Sequence, residues 1–316
     1  MQRRIARSDI AQPHRLRHTC AMPLPVPYSA LRAFRRPALA LPGLWRTALV
    51  ILGFEVAFAT TPFILDPFVD WSWPDQVLEV LNYAGFGLDL AALLVLVALL
   101  HNRGPGSMTG PLRPLLRDLG RVLVAVCLVL LVQQPFDLAP DLSDLILAPL
   151  GRWFVWLIPA ALAILLQVAT EEIYFRGYLT QQLAAFSLKR RVWMLLPSVY
   201  FGTSHLLNGD GLAEGVLWAV WATMLGAACA DLTARTGNLG AAIGLHLGNN
   251  LFAALVLGFI GTPGFGLALF LLPQGAEAID TAGLEGLATS ATLLDLAYSG
   301  MGVLVMWLAA RVAIRV

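Results

Sequence analysis

Ala169-Thr170-Glu171-Glu172-Ile173-Tyr174-Phe175-Arg176-Gly177 puts two carboxylates and a guanidinium at the end of an apolar run, Trp153 to Val168. A charge inside a bilayer is costly, so a cluster at that depth marks a functional site by default. Two later apolar segments each carry a histidine: Phe201-Gly202-Thr203-Ser204-His205 and His246-Leu247-Gly248-Asn249-Asn250. We read the three pieces as one site where three membrane helices meet.

The composition is that of a membrane protein. The chain is 58% hydrophobic and 13% charged, with a mean hydropathy of +0.72, whereas soluble domains carry about 25% charged residues. The net charge of +1 gives no sign of a nucleic-acid partner, and none is expected. Cys20, Cys127 and Cys229 lie far apart and form no paired motif, so no disulfide framework or thiolate metal site is suggested. Cys127 and Cys229 read as small buried hydrophobes.

Residues 1–43 are rich in Arg and Pro, without the short apolar core and cleavage site of a secretory signal. They read as a basic, disordered cytoplasmic arm, whose arginines either rest on anionic lipid or stay solvated. Residues 44–316 read as one transmembrane domain. A spanning helix needs about 20 mostly apolar residues, and eight stretches meet that measure, roughly 45–65, 78–100, 121–138, 146–170 and beyond, 192–208, 213–234, 239–260 and 289–310. The stretch 262–273 is too short to span and reads as re-entrant or superficial. The expected fold is therefore all-α and polytopic, with the site among the fourth, fifth and seventh helices.

Loop charge supports this order, since cytoplasmic loops are enriched in Lys and Arg. Nine arginines precede Thr47. Basic loops at Arg103–Arg121, Lys189–Arg191 and Arg235 alternate with acidic or neutral ones, and Arg311 and Arg315 close the chain. Both termini are thus expected in the cytoplasm, for a protein of a bacterial inner membrane.

Spacing divides the labour within the cluster. Glu172 and Arg176 are four apart with the acid first, the favourable order for a helical ion pair. Glu171 lies about 100° round the helix and is left for chemistry. His246 and Asn250 share a face, as do Phe201 and His205. The small residues around His246 (Gly240, Ala241, Ala242, Gly244, Gly248) are expected to bring that helix close to the other two. Counted from the basic loops, the three segments reach one depth only if the 171–205 hairpin projects into the cytosol by about one or two turns. The site is then expected to open to the cytoplasm.

A glutamate in a low-dielectric cavity can take a proton from water, and His205 can share that water. His246 and Asn250 can donate to a carbonyl oxygen as it becomes an oxyanion. This is peptide hydrolysis without a covalent intermediate. The same side chains, Glu171, His205 and His246, can also hold zinc and activate the water through it. Each feature alone has a structural explanation: interhelical glue for Asn250, a backbone bond for a histidine, an ion pair for Glu172 and Arg176. Glu55, Asp89, Asp231 and Asp295 are assigned such structural or polar-cavity roles. What singles out the three segments is their joint occurrence.

Glu171-Glu172-x-x-x-Arg176, Phe201-x-x-x-His205 and His246-x-x-x-Asn250, in this order, resemble the CPBP family of type II CAAX prenyl endopeptidases and bacteriocin-processing (Abi) proteins. Thr236-Gly237-Asn238-Leu239 and Ala242-Ile243-Gly244-Leu245-His246 add to the likeness, which covers about residues 150–256. The resemblance implies an eight-helix intramembrane protease facing the cytosol. It implies Glu171 as the base that activates water with His205, His246 and Asn250 on the oxyanion side, and Glu172 and Arg176 completing the first motif. It leaves a divalent metal and a metal-independent glutamate mechanism equally open. The implied partners are membrane lipids and a peptide or protein substrate, lipidated or not. A non-catalytic immunity or scaffold protein using the same cavity for binding is the competing reading. A transporter is disfavoured by the lack of inverted repeats, and a serine protease by the absence of a nucleophile elbow around Ser204.

Overall fold

A computed structural model describes residues 26–138, 144–209, 211–260, 265–272, 287 and 289–316. Short α1 (Ser29–Phe34) precedes two long apolar helices, α2 (Leu44–Leu65) and α3 (Asp75–His101). A single turn, α4 (Gly106–Thr109), leads into α5 (Leu112–Leu138). Then α6 (Leu150–Glu172) continues through a π-helical segment, Ile173–Leu179, into α7 (Thr180–Phe186). A second π segment, Arg191–Leu195, opens α8 (Leu196–Thr203). Three helices complete the bundle: α9 (Leu212–Thr236), α10 (Gly240–Leu255) and α11 (Ser290–Ile314). The fold is all-α and of membrane type, as expected.

The large apolar residues of the outer helices point outward. Phe63 on α2, Leu99 on α3, Val155 on α6 and Val312 on α11 are all exposed, a face that water would reject and lipid would cover. Polar and charged side chains collect instead between the helices, among them Asp89, Gln167, Glu172, Arg176 and His246.

Five helices among the described residues are long and apolar enough to cross a membrane: Leu44–Phe68, Asp75–His101, Leu150–Phe186, Leu212–Thr236 and Thr292–Ile314. This is fewer than the eight expected. The segment at 192–208 is split between a π turn and the eight residues of α8. The one at 239–260 yields the 16 residues of α10. At about 1.5 Å per residue α10 reaches only roughly 24 Å. Its Gly240–Gly248 half is buried on every side by protein, so it need not match the bilayer by itself. Conversely, Leu150–Phe186 runs for 37 residues, about 55 Å of helix, far more than the hydrocarbon core of about 30 Å.

The described part of 262–273 forms a 3-10 turn (Phe265–Leu267) and a short strand. Strands β1 (Ile146–Leu147), β2 (Leu257–Phe259) and β3 (Phe270–Leu272) form a sheet in the order β1-β3-β2. β1 pairs antiparallel to β3, with Ile146 opposite Leu271, and β2 pairs parallel to it, with Gly258 opposite Leu271. This patch ties the chain before α6 to the chain after α10. The Trp153 indole of α6 donates to the Leu255 carbonyl of α10 at 2.8 Å beside it.

The basic arm needs correcting over its second half. Residues 26–43 are ordered, with Tyr28, Leu31, Phe34 and Ala38 buried, because the spacing of Tyr28, Leu31 and Phe34 makes one apolar face. Tyr28 donates to Asp231 of α9 at 2.7 Å and Arg35 to the Ala184 carbonyl of α7 at 2.5 Å. Residues 1–25 lie outside the described residues.

Candidate active site

Glu172 is the last α-helical residue of α6, and Arg176 lies in the π segment that follows. Single-turn π segments are rare and frequent at functional sites. At this wide turn a Cβ on Gly177 would lie 2.8 Å from the Met108 carbonyl oxygen, so the chain passes α4 at backbone distance. Glu172 Oε1 accepts from Arg176 Nη1 at 2.9 Å and from His246 Nδ1 at 2.9 Å. Glu172 is 0% and Arg176 1% exposed. One buried carboxylate thus joins the π segment to α10.

His246 reaches it because of how α10 packs. Gly240, Gly244 and Gly248 face α5, where an added Cβ would lie 2.0 Å from the Leu115 carbonyl oxygen, 2.7 Å from that of Leu119, and 2.8 Å from Val126 Cγ1, respectively. His246, two residues from Gly244 and Gly248, is about 200° away and so points from the opposite side of α10. The small-residue stripe thus brings in α5 rather than the two other site helices, and His246 is presented from the helix's other face.

Since a carboxylate oxygen only accepts, Nδ1 of His246 carries a proton and Nε2 is turned outward. Nε2 lies 3.5 Å from Glu171 Oε2. Glu171 is more exposed than Glu172, with 15% of its side chain open. The buried Oε2 atoms of Glu171 and Glu172 and Nη2 of Arg176 have no hydrogen-bond partner in the structure. Buried polar atoms left this way at one place usually mark bound water or substrate.

His205 follows the end of α8. Its Nδ1 is 2.8 Å from the Phe201 carbonyl, which again fixes the proton on Nδ1 and leaves Nε2 as the acceptor of the neutral ring. Glu171 and Arg176 are the charged groups in electrostatic range of this ring, and the His246 imidazole lies near it as well. The Phe201 ring is the hub, 4.6 Å from the His205 ring, 5.7 Å from the His246 ring and 4.5 Å from the Arg176 guanidinium. Ser204 Oγ donates to the same Phe201 carbonyl at 2.7 Å. Ser204 Oγ also lies 3.2 Å from His205 Nδ1, but serine and imidazole both turn to that one carbonyl, and a protonated Nδ1 is no base for the hydroxyl.

Asn250, one turn beyond His246, donates through Nδ2 to Gln167 Oε1 on α6 at 3.1 Å, and Asn249 donates to Asn250 Oδ1 at 3.1 Å. The structure thus joins Glu171, Glu172, Arg176 and His246 directly, brings His205 to them through the Phe201 ring, and ties Asn250 to α6 through Gln167. As zinc ligands, Glu171, His205 and His246 do not fit as placed. Among the described residues no three His, Cys, Asp or Glu side chains converge on a point that could hold a metal ion.

Two contributors were not expected. Gln167 precedes Glu171 by four residues, so it shares its face, and its polarity within an apolar run was a legible signal. Gly226 of α9 leaves room for the guanidinium: a Cβ there would lie 2.7 Å from Arg176 Nη2. No pattern in the sequence marks that contact. The other buried acids have ordinary partners. Asp89 accepts from Thr61 at 2.6 Å, Asp231 holds Arg235 at 2.7 Å, and Glu55 accepts from Tyr200. Asp295 lies exposed on α11.

Compared with known proteins, residues 152–252 match the family model described as type II CAAX prenyl endopeptidase Rce1-like. All six candidate residues fall inside that match. A stretch of 106 residues is 29% identical to the uncharacterized protein YyaK of Bacillus subtilis (strain 168), covering 33% of this chain and 35% of that protein. The chain thus matches about a third of that relative's length. No solved structure gives a significant match. The family match covers about a third of the chain, and the apolar helices are those of an integral membrane protein.

Proposed function

We propose that this chain, whose residues 152–252 match the Rce1-like family model, is a CPBP-family intramembrane endopeptidase that cuts a membrane-presented substrate with water activated by Glu171 and His205. The carrying observation is the unequal state of the two adjacent carboxylates. Glu172 is committed to Arg176 and His246, whereas Glu171 Oε2 has no hydrogen-bond partner and faces His246 Nε2.

The steps follow from that arrangement. A water donates one hydrogen to Glu171 and the other to His205 Nε2, and its oxygen attacks the scissile carbonyl carbon. Glu171 takes the proton. The carbonyl oxygen becomes an oxyanion, met by an Asn250 Nδ2–H and by His246 Nε2–H when that ring is protonated over the Glu172 carboxylate. The C–N bond then breaks, the proton held by Glu171 passes to the departing nitrogen, and an acid and an amine leave. Glu172 and Arg176 touch no substrate in this scheme; they orient His246.

The substrate class that fits is an extended CAAX-like peptide or a peptide precursor, with or without a lipid, at a bacterial inner membrane with the site open to the cytoplasm. Purified protein in liposomes, wild type and Glu171→Gln, would be given a farnesylated CAAX peptide and an unbiased peptide library, with and without a strong chelator. Cleavage by wild type alone that survives the chelator supports the glutamate mechanism. Cleavage abolished by the chelator and restored by zinc would replace it with a metal mechanism. Equal complementation of a deletion strain by Glu171→Gln and wild type would instead favour a non-catalytic binding protein.

A further inference from the structure

The scheme above meets the developing oxyanion with Asn250, and the terminal torsion of an asparagine is broad, so its amide has to be held to be aimed. What holds it lies across the seam between α6 and α10. Gln167 and Glu171 are four residues apart and share a face of α6, and His246 and Asn250 share a face of α10 in the same way. The two faces meet as two rungs. In one, Glu171 Oε2 lies 3.5 Å from His246 Nε2. In the other, Asn250 Nδ2 donates to Gln167 Oε1 at 3.1 Å. The second rung stands one helical turn, about 5.4 Å, further from the π segment. One turn beyond it the same faces carry Ala163 and Ala254, both buried, and the sequence of α6 between Trp156 and Gln167 is wholly apolar. Gln167 thus closes the polar part of the seam, directly below the catalytic rung.

The Asn250 amide is held at both ends. Its Oδ1 accepts from Asn249 Nδ2 at 3.1 Å, and one hydrogen of its Nδ2 goes to Gln167. A carboxamide nitrogen carries two hydrogens, so the second points in a direction that those two bonds fix. Gln167 is buried, at 7% exposure, whereas Asn250 is only partly buried. The glutamine is therefore the backing and the asparagine the group that borders open space. Interhelical glue would account for the bond between the two helices. An amide gripped by its oxygen as well as its nitrogen is what an oxyanion donor needs, because such a donor must be aimed before the charge develops.

We propose that Gln167 is a positioning residue of this site, its Oε1 holding the Asn250 amide so that the second Nδ2–H faces the scissile carbonyl oxygen as it becomes an oxyanion. Gln167 acts through Asn250 and touches no substrate. This rests on the hydrolase reading.

The test measures kcat and KM in liposomes, on a peptide that wild type cuts, for wild type, Gln167→Met, Gln167→Glu, Asn250→Ala, the double variant Gln167→Met/Asn250→Ala, and Glu171→Gln. Asn250→Ala removes the donor itself and should cost about 10²–10³-fold in kcat. Gln167→Met keeps the length and removes the oxygen. Its kcat should fall by less, about 10- to 100-fold, with KM within about twofold of wild type, since the contact counts only in the transition state. In the Asn250→Ala background the same change should cost no more than about twofold, because both act through one amide. Gln167→Glu keeps an acceptor oxygen at the same reach and should return kcat to within about fivefold of wild type. Four results overturn the assignment: a Gln167→Met kcat within about twofold of wild type, a loss confined to KM, a factor that multiplies in full on Asn250→Ala, or a Gln167→Glu as slow as Gln167→Met. If Gln167→Met is not recovered folded, Gln167→Glu carries the test, and a loss beyond about fivefold overturns it. If wild type cuts no better than Glu171→Gln, the hydrolase reading itself falls and takes the role of Gln167 with it.

Discussion

Replacing Glu172 by Gln should cost this protein much of its stability, though it removes no volume. Glu172 is 0% exposed and makes two charge-assisted hydrogen bonds, each 2.9 Å, to Arg176 Nη1 and His246 Nδ1. The Arg176 guanidinium is 1% exposed, and its Nη2 already lacks a partner. With the carboxylate neutralised, that cation stays buried uncompensated, and breaking such a pair costs about 3–5 kcal/mol. At about 2–4 °C per kcal/mol for a chain of some hundreds of residues, the melting midpoint should fall by roughly 6–20 °C. The double variant Glu172→Leu/Arg176→Met removes both charges at similar volume. It should recover most of the loss, since an apolar pair is often neutral or better in such a place, yet stay inactive because His246 has lost its anchor. The assay is thermal unfolding in detergent, followed by intrinsic fluorescence, with peptide cleavage measured in parallel. A single variant that melts with wild type, or a double variant as weak as the single, would refute the reasoning.

Glu171→Gln should behave in the opposite way, with melting close to wild type and cleavage reduced by about 10²–10⁴-fold, as expected for loss of a general base. Gly240→Ala should prevent stable folding, because its Cβ would lie 2.0 Å from the Leu115 carbonyl oxygen, whereas Gly300→Ala, 3.3 Å from the Met224 sulfur, should be tolerated; detergent-soluble monodisperse yield distinguishes them. Tyr28 lies outside the membrane-spanning helices, and burial, then its bond to Asp231, raises its pKa. A raised folded pKa means that its share of stability is complete below about pH 10, the unfolded value, and disappears as the pH climbs through the folded one. Wild type should therefore lose its stability advantage over Tyr28→Phe on alkaline titration, and a constant difference in melting temperature from pH 8 to 11.5 would contradict this.

How much of this was legible in the sequence depends on the range of the contact. The Glu172–Arg176 pair was readable because four residues on a helix are neighbours wherever the helix sits. The meeting of His205 and His246 with them was readable only as a joint pattern, since no local rule places α8 beside α10. The π segment left no trace, because the backbone contact of Gly177 with Met108 depends on a loop some seventy residues earlier. The expected number of crossings exceeds the five long apolar helices among the described residues, because apolar runs reveal burial without saying whether lipid or protein does the burying: the first half of α10 is as apolar as a span yet buried in protein. The packing of residues 26–43 was missed for the converse reason, with Tyr28, Leu31 and Phe34 diluted among arginines and prolines.

The glycine face of α10 has a consequence for how this protein can be divided. The segment that matches the endopeptidase family, 152–252, contains every residue assigned to the chemistry. Yet His246 is held at its station by α5, Leu112–Leu138, which lies wholly outside that segment. The recognisable part is therefore not a transplantable module. Grafted onto other helices, it would carry the reactive groups but lose the straightedge against which one of them is aligned. A chimera that keeps 152–252 and swaps the preceding helices should fail unless the new partner offers α10 an equally bare backbone.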